Sequence, residues 1–154
     1  MKKGLWFLVI LISVLFVAFL SGCPKKVEVE PVVVAVPTSL GSLEGEESLN
    51  SVNLAVDEIN AQGGIDVGGT KRPFKVESID LRDAAAGVPV PEALLGLEKI
   101  ILEKKPAAIV VGPFRSEALL AGMDLIAKHM VPMLGSIAMS PGSEAKIKKD
   151  PDKY

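Results

Sequence analysis

Apolar positions along the chain change period several times, and each change marks an element. Pro31 to Pro37, PVVVAVP, is a β-branched run between prolines and predicts a buried strand. After the polar loop TSLGSLEGEE, Leu49, Val52, Val56 and Ile59 recur at spacings of three and four, one apolar face of a helix. That helix stops at Gly63-Gly64-Ile65, where glycine suits a left-handed turn and Ile65 can pack back on the last turn. GGTKRP then turns the chain into a second strand, FKVESIDL. Leu94, Leu97 and Ile101 stripe a helix from about Pro91 to Lys104, with proline in its first turn. AAIVVG predicts a third strand and PFRS a loop. Ser116 is expected to cap the next helix, whose Leu119, Met123, Ile126 and Met130 face inward. VPMLGSI predicts a fourth strand, and Met123, Met130 and Met133 read as core. Beyond Ile137 the pattern fades into a loop and a short charged segment.

The order β-α-β-α-β-α-β predicts the α/β class, a doubly wound parallel sheet with helices on both faces. No fifth strand is written, so one sheet edge is expected to lie open, an association liability. Ligands of such sheets bind beyond the carboxyl ends of the strands. That points to the loops Thr38–Glu46, Asp80–Asp83, Gly112–Ser116 and Gly135–Ser140. They offer hydroxyls, amides and helix N-termini, groups suited to a carboxylate.

Composition alters this picture at the N-terminus. The 49% hydrophobic content of the 154 residues is inflated by GLWFLVILISVLFVAFL, which follows Lys2 and Lys3. A basic start, an apolar middle and small residues describe an export signal, and the run is also long enough for an uncleaved transmembrane anchor. Leu20-Ser21-Gly22-Cys23 resembles the bacterial lipobox, which makes Cys23 the expected lipidated first residue of the mature chain. Residues 1–22 are then a lipoprotein signal peptide, 23–30 a lipid-anchored linker, and 31–154 the folded part. Acyl chains on Cys23 would contribute roughly 0.8 kcal/mol per buried methylene, so more than one gives a stable anchor. With no other cysteine, no internal disulfide is possible.

Without Lys2 and Lys3, 15 of the 17 basic residues remain against 19 acidic ones. This mildly acidic balance, with no basic stripe or aromatic groove, excludes nucleic acid as a partner. No G-x-S-x-G elbow, H-x-x-x-H pair or cysteine cluster marks a hydrolase, a metal site or a cofactor. His129, the single histidine, reads as serving a helix end or solvent. Asp80 and Asp83 suit either turn formation and capping or a magnesium site of receiver type, and export favours the former. The chain is expected not to be an enzyme.

VAVPTSLGSLEGEESLNSVNLAVDEINAQGGI resembles the start of type I periplasmic binding proteins, where a long helix ends in I-N-x-x-G-G-I/V. AAIVVGPFRSEALLA is similar to the family's third strand, its G-P turn and the following helix start. VPMLGSIAMSP is similar to its fourth strand and ligand loop, and KKDPDKY to the segment before the next strand. The resemblance covers about Val32 to Tyr154 and is nearest to branched-chain amino acid-type receptors of ABC importers.

The resemblance implies a two-lobed extracytoplasmic receptor that delivers a small amino acid-like ligand to the membrane subunits of an ABC transporter. It implies that Ser116 binds the ligand carboxylate, and that the loop Ile137, Ala138, Met139 holds carboxylate and ammonium through backbone groups and a hydroxyl. Met139 stands where those members carry threonine, and a thioether is a poor substitute for a hydroxyl. A one-residue shift of the loop would bring Ser140 into use. Only an incomplete N-terminal lobe is matched, so a truncated receptor is expected. The alternative is an envelope lipoprotein of the same fold that binds a partner or activates cell-wall enzymes.

Overall fold

The computed structural model describes residues 29–154, so the expected export signal and Cys23 lie outside the described residues. β1 (Val32–Thr38) leads through a loop to α1 (Leu43–Ala61). A short antiparallel hairpin follows, β2 (Ile65–Val67) and β3 (Thr70–Arg72), and then β4 (Phe74–Asp80). α2 (Val90–Lys104), β5 (Ala108–Val111), α3 (Ser116–Lys128), β6 (Met133–Gly135) and α4 (Pro141–Lys149) complete the order. The hairpin and α4 are additions to the predicted pattern. The hairpin strands are three residues each, too short to show an alternation, and α4 buries none of its residues, so neither writes an apolar period.

The main sheet runs β4-β1-β5-β6 and is parallel throughout. β1 pairs with β4 along its whole length, from Val32 opposite Phe74 to Thr38 opposite Asp80. The chain winds outward from β1 to β4, then returns across β1 to β5 and β6. The strand order therefore reverses between β1 and β5. Right-handed crossovers then put α1 on one face and α2 with α3 on the other. α2 packs on β1, β4 and α3, whereas α1 lies over β4 and β5.

The core fills the face under α2 and α3. Ala35 and Ile109, register partners in β1 and β5, meet Leu97, Ile100 and Ile101 of α2 and Ala118 and Ile126 of α3. On the other face Val34 and Val36 are buried, but Leu49, Val52, Val56 and Ile59 of α1 are only half-buried. One helix covers less of a four-stranded sheet than two do.

α1 ends in a Schellman arrangement. Gly64 N–H donates to the Ile59 carbonyl at 2.9 Å and Gly63 N–H to Asn60 at 3.0 Å, with both glycines at positive φ. A Cβ on Gly64 would also overlap the Arg72 carbonyl, so the hairpin can close only over glycine. α3 ends the same way, but with Met130 at the left-handed position, φ 53°. Val131 N–H donates to Ile126 and Met130 N–H to Ala127. The expected inward Met130 is therefore 88% exposed. The helical period stops at Lys128, and the left-handed residue points its side chain out. Met123 is buried and Met133 packs against the core, as the sequence predicts.

Candidate functional site

The carboxyl ends of β1, β4, β5 and β6 carry the loops that form the crevice end of the sheet. At β5 the chain leaves through two successive residues of positive φ, Val111 and Gly112, both 77°. A β-branched residue seldom adopts that conformation, so the turn is strained. Val111 is tied down on its far side: it lies opposite Gly135 of β6, and its carbonyl accepts from Ser136 N–H at 3.2 Å. The loops after β5 and β6 are thus coupled at their base. Nothing in VVGPFRS announces this.

α3 begins differently from the sequence expectation. Arg115, not Ser116, is its N-cap, in extended geometry and with no side-chain cap bond. A capping hydroxyl must sit on that extended residue, before the first helical one. Ser116 is already helical. Its hydroxyl instead donates across the crevice to the Met139 carbonyl at 3.0 Å. The first intrahelical bond runs from Leu119 N–H to Arg115 at 3.0 Å, so the amides of Ser116, Glu117 and Ala118 precede it. By contrast, Ser42 caps α1 through Gly45 N–H at 3.1 Å, and Ser140 caps α4 through Gly142 N–H at 3.1 Å.

Of the expected site residues, Ser116 and Met139 are in contact. Ile137, Ala138 and Ser140 are half-buried in the loop beside them. The Met139 side chain is 86% exposed while its carbonyl is engaged. The Ser140 oxygen serves α4, which leaves its proton free to be donated.

Two aspartates organise the neighbouring loops. Asp80 accepts from Leu40 N–H at 3.0 Å and Arg82 N–H at 2.9 Å, joining the ends of β1 and β4. Asp83 is fully buried, and its Oδ2 accepts from Arg115 N–H at 2.8 Å. The Arg115 guanidinium in turn donates to the Val88 carbonyl at 2.7 Å. Both aspartates thus do the turn and capping work that the sequence favoured. Among the described residues, no group of three His, Cys, Asp or Glu is placed to hold a metal. His129 is the C-cap of α3, with Nε2 3.5 Å from Glu98 Oε1. Hydrogen bonds from His129 and then Lys128 hold the Glu98 carboxyl below its ordinary value.

The concavities do not all lie at this end. A hollow of about 230 Å³ between Ser39, Ser42, Asp80 and Arg82 opens beside the ends of β1 and β4. One of about 280 Å³ lies between Ser51 and Val52 of α1 and Val110 and Ser136. A larger one, about 520 Å³, sits off the crevice, under Met123, Ile126, Met130, Met133, Ile147 and Tyr154. It adjoins the open edge of β6, which among the described residues pairs only with β5.

No family model matches the chain, and no curated protein matches it. Solved structures do. The branched-chain amino acid transporter substrate binding protein LivJ of Streptococcus pneumoniae, solved with isoleucine, is 26% identical over 76% of this chain and 32% of its own, with a TM-score of 0.63. A putative branched-chain amino acid ABC transporter from Silicibacter pomeroyi is 25% identical over 81% of this chain and 30% of its own, at TM-score 0.66. An ABC transporter substrate-binding protein of Desulfitobacterium hafniense in complex with Leu shares the fold at 24% identity and TM-score 0.59, over 73% of this chain and 30% of its own. The chain has the type I periplasmic binding fold, as part of one lobe. It matches branched-chain amino acid ABC transporter substrate-binding proteins and spans about a third of their length.

Proposed function

We propose that the chain is the ligand-anchoring part of an extracytoplasmic solute receptor that serves an ABC importer, tethered through lipid on Cys23. Its ligand is an amino acid or similar small carboxylate. The observation that carries this reading is the α3 N-terminus. Three amides there precede the first helical bond, no side chain of Arg115 caps them, and the Ser116 hydroxyl stands beside them. A carboxylate placed there would supply the missing acceptors and meet the positive end of the helix dipole. On the facing loop, the second lone pair of the Met139 carbonyl and the proton of the Ser140 hydroxyl are the groups that an ammonium and a carboxylate, respectively, would meet. Similarity to substrate-binding proteins rather than to enzymes supports the same reading.

The test is titration of isoleucine and leucine into the full chain by calorimetry, with their amides as controls. Saturable binding of the acids but not of the amides is expected. Equal binding of acid and amide would remove the carboxylate from the reading.

The second reading is a partner-binding envelope lipoprotein. The apolar hollow of about 520 Å³ under Met123, Ile126 and Met133 favours it. Retention of a cell-wall synthase on the immobilised chain, with no amino acid binding, is the outcome that would favour it over transport.

A further inference from the structure

The structure assigns Asp83 a positioning role: its buried carboxylate holds the first turn of α3, and with it Ser116, in place from outside the helix. This rests on reading that terminus as a ligand carboxylate site. Asp83 lies on the loop after β4, yet its Oδ2 accepts from the amide of Arg115, thirty-two residues further on. That amide belongs to the N-cap residue of α3, the position whose own side chain makes no cap. The bond leaves the amides of Ser116, Glu117 and Ala118 free and fixes the residue that precedes them, from the loop after β4.

The loop that carries Asp83 is itself fixed. Ala84 N–H donates to the Ser39 hydroxyl at 3.0 Å, Leu81 N–H to the Thr38 carbonyl at 2.8 Å, and Ser39 is 2% exposed. The end of β1 therefore sets the height of Asp83, and Asp83 sets that of Arg115. Arg115 is held a second time through Val88, at the entrance to α2. Ser116 is the next residue and inherits that placement.

Burial makes the arrangement exacting. Asp83 is 0% exposed, and its Oδ1, the Arg115 Nε and the Thr38 Oγ1 are buried without a protein partner. A charged group that gives up hydration for one hydrogen bond is costly unless something else compensates it. Here the N-terminal end of the helix dipole does so. A packing role alone would be filled more cheaply by an apolar side chain.

The experiment uses the full chain with Asp83→Asn and Asp83→Ala. Two quantities are read: hydrogen exchange of the Arg115 amide without ligand, and isoleucine affinity by calorimetry. Asparagine keeps an oxygen for the Arg115 N–H, so exchange and affinity should stay within about threefold of wild type. Alanine removes the acceptor. Exchange of the Arg115 amide should rise about tenfold or more, isoleucine should bind about tenfold more weakly or worse, and amides within β1 should not change. Identical behaviour of the two variants would overturn the proposal, as would faster exchange spread evenly over the chain. If Asp83→Ala does not fold, Asp83→Leu, close to aspartate in shape and without an acceptor, takes its place with the same expectation. If the wild-type chain binds neither isoleucine nor leucine, the carboxylate-site reading fails, and the exchange contrast alone decides the role of Asp83.

Discussion

The Ser116 hydroxyl donates to the Met139 carbonyl at 3.0 Å, a bond that spans the loops after β5 and β6. It joins the first helical residue of α3 to the loop where the resemblance places the ammonium partner. Because Ser116 is not the N-cap, its replacement should cost little in folding. Ser116→Ala is expected to lower stability by less than about 1 kcal/mol, the net worth of one exposed hydrogen bond. On the proposed reading the hydroxyl turns from Met139 to the ligand carboxylate, so the effect on isoleucine affinity should be larger, roughly tenfold to a hundredfold, from a lost bond to a charged group. Ser116→Asp should keep stability, since a carboxylate suits a first helical turn, and should abolish binding by repulsion. Calorimetry and thermal melts on both variants check this; full binding by Ser116→Asp would place the ligand elsewhere.

Asn60 is paired with Phe74 as one strand residue is with another. Its side-chain amide donates to the Phe74 carbonyl at 2.9 Å and accepts from the Phe74 N–H at 2.8 Å. This ties the end of α1 to β4, an edge strand. Asn60→Ala leaves two partly buried backbone groups unpaired and should cost about 1–3 kcal/mol in chemical denaturation. A loss below half a kcal/mol would mean that water replaces the side chain without penalty.

Met130 occupies a left-handed position with most of its side chain exposed. Glycine avoids the Cβ clash there, at some cost in unfolded-chain entropy. Met130→Gly should therefore gain about 1 kcal/mol, and Met130→Ala should gain almost nothing because it keeps the Cβ. Equal melting temperatures for the two variants would argue against the strain.

Asp124 of α3 gathers Lys146, Lys153 and the Tyr154 hydroxyl, which fasten α4 and the C-terminal residues to α3. Those hydrogen bonds, led by Lys146, hold its carboxyl well below the ordinary carboxylate range. The bond to Asp124 likewise holds both lysines above theirs. A carboxylate with depressed pKa contributes stability that is present above its unfolded value and is lost as pH falls through the folded one. The lysines contribute below their unfolded value and lose it as pH rises through the folded one. The clasp should thus contribute fully at neutral pH, begin to lose its contribution below about pH 4 and open only well below the ordinary carboxylate range; on the basic side its contribution begins to fall above about pH 10.4. Tyr154 ring resonances followed by NMR across pH report it. High salt should weaken it, since Asp124 is more than half exposed.

Cys23 lies outside the described residues, and its role is testable without a structure. Cys23→Ser should abolish acyl labelling and leave the precursor unprocessed. Normal labelling of that variant would end the lipobox reading and leave the transmembrane alternative, in which residues 1–22 are retained.

Period and punctuation alone determined the class of this fold. The switch from β-branched runs to spacings of three and four placed β1, α1, β4, α2, β5, α3 and β6, because each element must bury one apolar face against the next. The glycine pair after α1 was legible for a local reason too: a helix stop of this kind takes positive φ, which glycine adopts without a Cβ clash. The candidate site was legible as a set of loops, since a parallel sheet can present ligand-binding groups only beyond its strand ends.

What tertiary structure alone decided is which polar group meets which. Sequence spacing cannot bring Asp83 to Arg115, Asn60 to Phe74 or Ser116 to Met139, because each bond crosses between elements whose separation is set by packing. The same holds for Met130, an apolar residue at core spacing that helix termination turned outward. Local periodicity says which faces must be buried. Only the packed sheet fixes where each helix starts, and a single residue there separates a serine that caps α3 from one that reaches across the crevice.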